Sequence, residues 1–153
     1  MACDTELATS ASQTWELIRN FNAMPSWNDA VRQSHIENGP ADRIGCLRVL
    51  VFDDGSRWIH RLTGLSDVDM KLQYRIVETP QPMAMPIWNY CAEMCVIAAY
   101  TGRASSDATS CRVTWQASFE TLHPEKMNLR ARQVFERGFV GLRRLLAAEP
   151  ASK

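Results

Sequence analysis

Charge of one sign is what this sequence lacks: seventeen Lys and Arg against seventeen Asp and Glu leave a formal net charge of zero. A chain so balanced projects no field that gathers nucleic acid or an anionic membrane, so neither is expected as a partner. No apolar run approaches the roughly 20 residues of a membrane-crossing helix. The N-terminus lacks the basic and apolar regions of a signal peptide, and no Asn-x-Ser/Thr sequon occurs. Five cysteines is an odd number, which argues against a closed disulfide framework, so free thiols and a cytoplasmic setting are expected. Glycine-rich phosphate loops, dinucleotide fingerprints, repeats and low-complexity tracts are absent, and no cofactor is expected. Cys91 and Cys95 stand four residues apart, which on a strand is about 13 Å, too far to share a metal ion.

At 153 residues the chain reads as one domain over residues 1–153, as a monomer or homodimer, able to bury about 70% of its unfolded surface. Its longest element is a helix from Pro124 to Ala148, opened by one proline and stopped by Pro150. Met127, Ala131, Val134, Phe135, Gly138, Leu142, Leu145 and Leu146 recur there at helical spacing, with Arg132, Glu136, Arg137, Arg143 and Arg144 on the other side. The helix would run about 36 Å, enough to cross a sheet. Ala131, Gly138 and Gly141 make its apolar stripe small in the middle. Two readings are open: close packing of helix on sheet, or a cavity beneath the helix.

Upstream, Cys3 to Ala8 suits a first strand. Ser10 and Gln13 form a capping box ahead of Trp15, Leu17, Ile18 and Phe21, and Pro25 can open a second short helix carrying Trp27 and Val31. From Ser34 the period becomes two, with strands expected at Ser34–Glu37, Gly45–Phe52, Arg57–Leu65, Lys71–Glu78, Tyr90–Tyr100 and Cys111–Thr121. A tight turn at Asp53-Asp54-Gly55-Ser56, pairing Phe52 with Arg57, sets a register. It places Leu47, Val49 and Val51 on one inward face with Trp58, His60 and Leu62, and turns Arg48, Phe52 and Arg61 outward. The next turn sets Leu62 opposite Tyr74, His60 opposite Ile76 and Trp58 opposite Glu78. In the last strand Val113, Trp115, Ala117 and Phe119 point inward. Strand, two helices, meandering strands and a long helix make an α+β order.

The run Trp15-Glu-Leu-Ile-Arg-Asn-Phe-Asn-Ala-Met-Pro-Ser-Trp27, with Gly45-Cys-Leu-Arg48, His60-Arg-Leu62, Tyr74-Arg-Ile-Val-Glu78 and Val113-Thr-Trp115, resembles the polyketide cyclase/dehydrase-like branch of the START and Bet v 1-like superfamily. The resemblance covers nearly the whole chain. It implies a helix-grip fold, a curved antiparallel β-sheet wrapped around a long C-terminal α-helix, with two short helices near the N-terminus and an internal cavity. Two departures stand out: Asn28, where a histidine often follows the tryptophan, and His60, where an acidic residue often precedes Arg-Leu. The Pro80–Trp88 loop is also longer and more apolar than is usual in the family.

His60 is the first candidate for chemistry, because an inward imidazole can exchange protons near neutral pH. The bland alternative is a core histidine satisfied by one hydrogen bond. Glu78 would complete a relay if it converges with His60, and is otherwise a solvated strand end. Tyr74 and Tyr90 offer phenols that can donate to a carbonyl. Trp27, Trp58, Trp88 and Trp115, with Met83, Met85 and Met94, supply flat or adaptable surfaces, and Val134 and Gly138 would face them from the helix. Together, the catalytic candidates are His60, Glu78 and Tyr74, and the ligand-binding candidates are Trp27, Trp58, Tyr90, Met94, Trp115, Val134 and Gly138. The function expected is binding of a small hydrophobic or aromatic, polyketide-like molecule with cofactor-independent cyclisation, dehydration or isomerisation. A non-catalytic carrier or sensor of lipids or small ligands is the alternative.

Overall fold

Caps and turns decide where the elements begin and end. The computed structural model describes residues 1–80, 86–99 and 109–148. Strand β1 spans Ala2–Leu7, helix α1 Ala11–Ile18 and helix α2 Met24–Trp27. Strands β2 to β7 run Val31–Glu37, Leu47–Phe52, Arg57–Ser66, Lys71–Glu78, Ile87–Ala99 and Ser110–Thr121, and helix α3 takes Pro124–Ala148. Ser10 caps α1, its hydroxyl oxygen accepting from the Gln13 backbone N–H at 3.2 Å while its O–H donates to the Gln13 side chain at 3.1 Å. Val31 opens β2 rather than ending the second helix. Tyr100, Met83 and Met85, which the sequence placed in a strand and in the ligand wall, lie outside the described residues.

The seven strands form one antiparallel sheet in the order β1-β7-β6-β5-β4-β3-β2, gripping α3 in the helix-grip arrangement. Met127, Phe135, Phe139 and Leu142 of α3 are buried. The Phe135 ring stacks on Trp115 with centroids 4.0 Å apart, and Phe139 meets the same indole edge-on at 6.3 Å. Both helix glycines serve close packing. A methyl group added at Gly141 would overlap the Trp27 carbonyl oxygen, and one at Gly138 would stand 2.9 Å from Trp27 and 3.0 Å from Asn28 and Trp115. Helix α2 therefore fills the space those glycines leave, and Asn28 stitches it to α3 by donating to the Val134 carbonyl at 3.2 Å. All five cysteines are free thiols.

The β3–β4 register differs from the expected one by a single residue, and that residue matters. Arg48 pairs with His60, Leu50 with Trp58 and Val51 with Arg57. The reason is the turn. Phe52 N–H donates to Ser56 at 2.9 Å, Gly55 N–H donates to Phe52 at 2.9 Å, and Gly55 has φ +84°. This three-residue loop with a left-handed glycine is shorter than the four-residue loop that the pairing of Phe52 with Arg57 implied. Because side chains alternate, the slip exchanges both faces of β3: Arg48, Leu50 and Phe52 turn inward, and Val49 pairs with Ile59 on the other face.

A second correction follows at β4–β5. Leu62 faces Tyr74 and His60 faces Ile76 as expected, but a bulge then pairs Glu78 with Ile59 instead of Trp58. The extra residue, Val77, rotates Glu78 to the outer face. There it is exposed and stands 4.0 Å from Arg57.

Candidate functional site

The inward faces of β3, β4 and β5 bring three polar side chains into the core. Arg48 and His60 are 3% and 5% exposed, and no acidic side chain is among the buried residues described. Arg48 donates from Nε to His60 Nδ1 at 3.1 Å, with Nη2 at the same distance from that nitrogen, and from Nη1 to the Phe21 carbonyl at 3.3 Å. Its guanidinium lies between two rings, 4.1 Å from the Phe21 centroid and 4.6 Å from that of Tyr74. Weakly hydrated and flat, guanidinium tolerates such a slot better than an ammonium group. Burial lowers the Arg48 pKa to about 10, which leaves it charged at neutral pH.

His60 stacks on Tyr74 with centroids 4.8 Å apart and planes 13° from parallel. Burial first, and the Arg48 charge second, push its pKa well below the ordinary histidine value. Nδ1 takes up arginine N–H groups, so the neutral ring carries its proton on Nε2. The lone pair that a general base needs is already occupied, and what remains is a donor. Tyr74 accepts from Trp115 Nε1 at 3.1 Å. Burial raises the Tyr74 pKa, and raises that of Tyr90 further, the adjacent Tyr74 hydroxyl adding to the effect. Both phenols are protonated donors at neutral pH.

These rings border a cavity of about 100 Å³ between the sheet and α3. Of the candidates, His60, Tyr74, Trp58, Tyr90, Trp115 and Val134 line it. Trp27, Met94, Gly138 and Glu78 do not: Trp27 and Gly138 are the α2–α3 contact, Met94 is buried on β6 beside its partner Trp115, and Glu78 faces outward. Sequence reasoning missed Arg48, which it turned outward, and the polar rim of Asp54, Ser56 and Arg130, where Arg130 stands 3.6 Å from Asp54. The signal that could have found Arg48 is Gly55, which permits a three-residue turn. A larger open groove of about 770 Å³ runs outside, between α2 and α3. Its rim carries Asp29 and Arg137, paired at 2.8 Å, and it holds none of the buried titratable groups described, which line or adjoin the smaller cavity instead.

Residues 4–147 match the sequence pattern of the family described as "Polyketide cyclase / dehydrase and lipid transport". The chain belongs to this family. Among solved structures, the chain is similar to XoxI of Bacillus cereus, with 22% identity, TM-score 0.80, and 99% and 98% of the two chains covered. A START superfamily protein of Mycobacterium smegmatis superposes with TM-score 0.75 at 12% identity over 96% of each chain. A protein of Thermobifida fusca does so with TM-score 0.78 at 22% identity, covering 100% of this chain and 96% of the other. At these identities the likeness is one of fold. No curated protein matches the chain. For a member of this family the arrangement means ligand binding in general, and no helix among the described residues is long and apolar enough to cross a membrane.

The buried imidazole also gives a pH signature. A histidine whose folded pKa is depressed stays neutral in the native state while the unfolded chain takes up a proton below about pH 6.5. Stability is therefore fully present above that pH and falls as pH drops, by up to about 1.4 kcal/mol per unit for this one proton. Urea midpoints measured from pH 7.5 to 5 should decline in the wild type and decline less in His60→Gln. Parallel profiles would mean that His60 takes up a proton as readily in the folded protein as in the unfolded one.

Proposed function

We propose that this domain binds a small aromatic or hydrophobic molecule in the cavity between its sheet and α3, held by apolar ring walls and by one hydrogen bond donated from His60 Nε2. What carries the reading is that His60, its Nδ1 taken by Arg48 and its proton therefore on Nε2, lines a cavity together with Trp58, Tyr90, Trp115 and Phe135. The size of the space refines the ligand. Drug-sized ligands need about 300–1,000 Å³, whereas one benzene occupies an apolar cavity of about 150 Å³. A space of about 100 Å³ is smaller than either, so it takes at most a short chain, or a single ring once the side chains around it shift outward, and not a folded polyketide.

Catalysis is the second reading, and the donor favours it: His60 Nε2–H can polarise a carbonyl, which is the electrophilic half of a cyclisation, dehydration or isomerisation. With Glu78 on the outer face, the base would have to come from the substrate, from water or from the rim carboxylate of Asp54. Carrier or sensor function needs no base at all, and binding is accordingly the leading reading.

Thermal shift with single-ring aromatic compounds tests it. The wild type should be stabilised by at least one of them, and Ala131→Phe, which places a ring in the cavity from α3, should fold and lose that response. Mass spectrometry of material released from natively purified protein adds the natural ligand. A wild type that responds to no such compound and releases none on denaturation would sink the proposal.

A further inference from the structure

Among the described residues, Arg48 is a buried cation without a counterion. None of the ion pairs among the described residues includes it. The other buried polar or charged residues described, anywhere in the domain, are Thr14, Asn28 and His60, none of them acidic. Its polar partners are a neutral imidazole, a backbone carbonyl and the neutral Tyr74 phenol, and its faces end on two rings. Charges enclosed in protein are ordinarily paired, because the attraction of a partner offsets the loss of water. Here the residue directly across the sheet, where a partner would stand, is His60.

The geometry points to a ligand that supplies the missing charge: we propose that the cavity takes a single-ring molecule bearing an acidic oxygen, a phenolate, enolate or carboxylate, and binds it as the anion. His60 Nε2–H donates to that oxygen while Arg48, one imidazole away, balances its charge. The inference rests on the proposed function, since it names the ligand class for the same cavity. The tyrosines fit it too, because the protonated phenols of Tyr74 and Tyr90 are donors that add no negative charge. Arg48 is here a positioning residue: it fixes which imidazole nitrogen carries the proton and sets the sign of the site without lining the cavity.

Fluorine NMR titration with two probes of nearly equal size tests the inference. Pentafluorophenol is ionised at pH 7 because its fluorines draw charge from the oxygen, and hexafluorobenzene is its neutral counterpart. The wild type should prefer the phenolate by about tenfold or more. Arg48→Met should bring the two probes within about threefold of each other while hexafluorobenzene still binds. His60→Gln should keep the preference, because a carboxamide oxygen can accept from Arg48 while its N–H donates to the ligand. Equal affinities in the wild type, or a preference that survives Arg48→Met, overturn the inference and leave the proposed function standing. Failure of both probes to bind removes the proposed function itself. If Arg48→Met does not fold, the wild type decides alone: from pH 7.5 to 5 the phenol's affinity must fall as the probe takes up its proton while that of hexafluorobenzene stays level, and a level phenol profile overturns the inference.

Discussion

Gly141→Ala should destabilise the fold by about 3 kcal/mol or more, against a gain of about 1 kcal/mol for the same change in an unobstructed helix. The sign turns on one contact. A methyl group at Gly141 meets the Trp27 carbonyl, which is backbone and cannot rotate aside, so α2 or α3 must move as a unit. Gly138→Ala presses on the side chains of Trp27, Asn28 and Trp115 instead, which can yield by tenths of an ångström, and should cost less. Urea denaturation of the two variants measures the difference. If Gly141→Ala raised the midpoint, α2 would not be seated on α3 as described.

Trp115→Ala should be comparably severe, destabilising by about 3–5 kcal/mol. Its indole is 1% exposed, stacks on Phe135, meets Trp27 and Phe139 edge-on and donates to Tyr74. Truncation would leave a cavity at the centre of the domain and the Tyr74 oxygen short of a donor. Trp115→Phe keeps one ring in the stack and gives up the N–H with part of the ring volume, so it should cost less, about 1–3 kcal/mol. Equal losses in the two variants would mean that the stacked six-membered ring contributes little at this position.

Much of this architecture was legible because its signals are local. Pro124 and the apolar spacing located α3, Ser10 located α1, and alternation in β5 and β7 put Tyr74, Val113 and Trp115 inside. The β3 sequence Leu-Arg-Val-Leu-Val-Phe offers apolar residues on both faces, so alternation could not choose between them. Assigning the arginine to the outside follows the general cost of burying charge. The turn overrode it, because a three-residue loop with Gly55 left-handed fixes the pairing before hydrophobicity has a say. Glu78 failed for a related reason: a bulge adds one residue to a strand and carries no periodic mark in the sequence. Trp27 and Gly138 were recognised as inward but given to a ligand. The sequence cannot say whether a neighbouring helix has already taken the space, and here α2 has.

The strand order concentrates the topological expense of the fold in a single pairing. From β2 to β7 each strand lies beside its sequence neighbour, so that part of the sheet is assembled from connections made along the chain. β1 is different: Cys3 lies opposite Trp115 and Leu7 opposite Cys111, so the edge strand closes a loop of more than a hundred residues. Loop-closure entropy grows only with the logarithm of length, but a long-range pairing must be made before its contacts repay it, which slows folding. Trp115 stands on the strand that receives this late partner, while Arg48 and His60 meet across a hairpin a dozen residues long. The polar half of the site therefore belongs to the fast, local part of the topology, and the aromatic wall facing it is completed only when the two ends of the sheet come together.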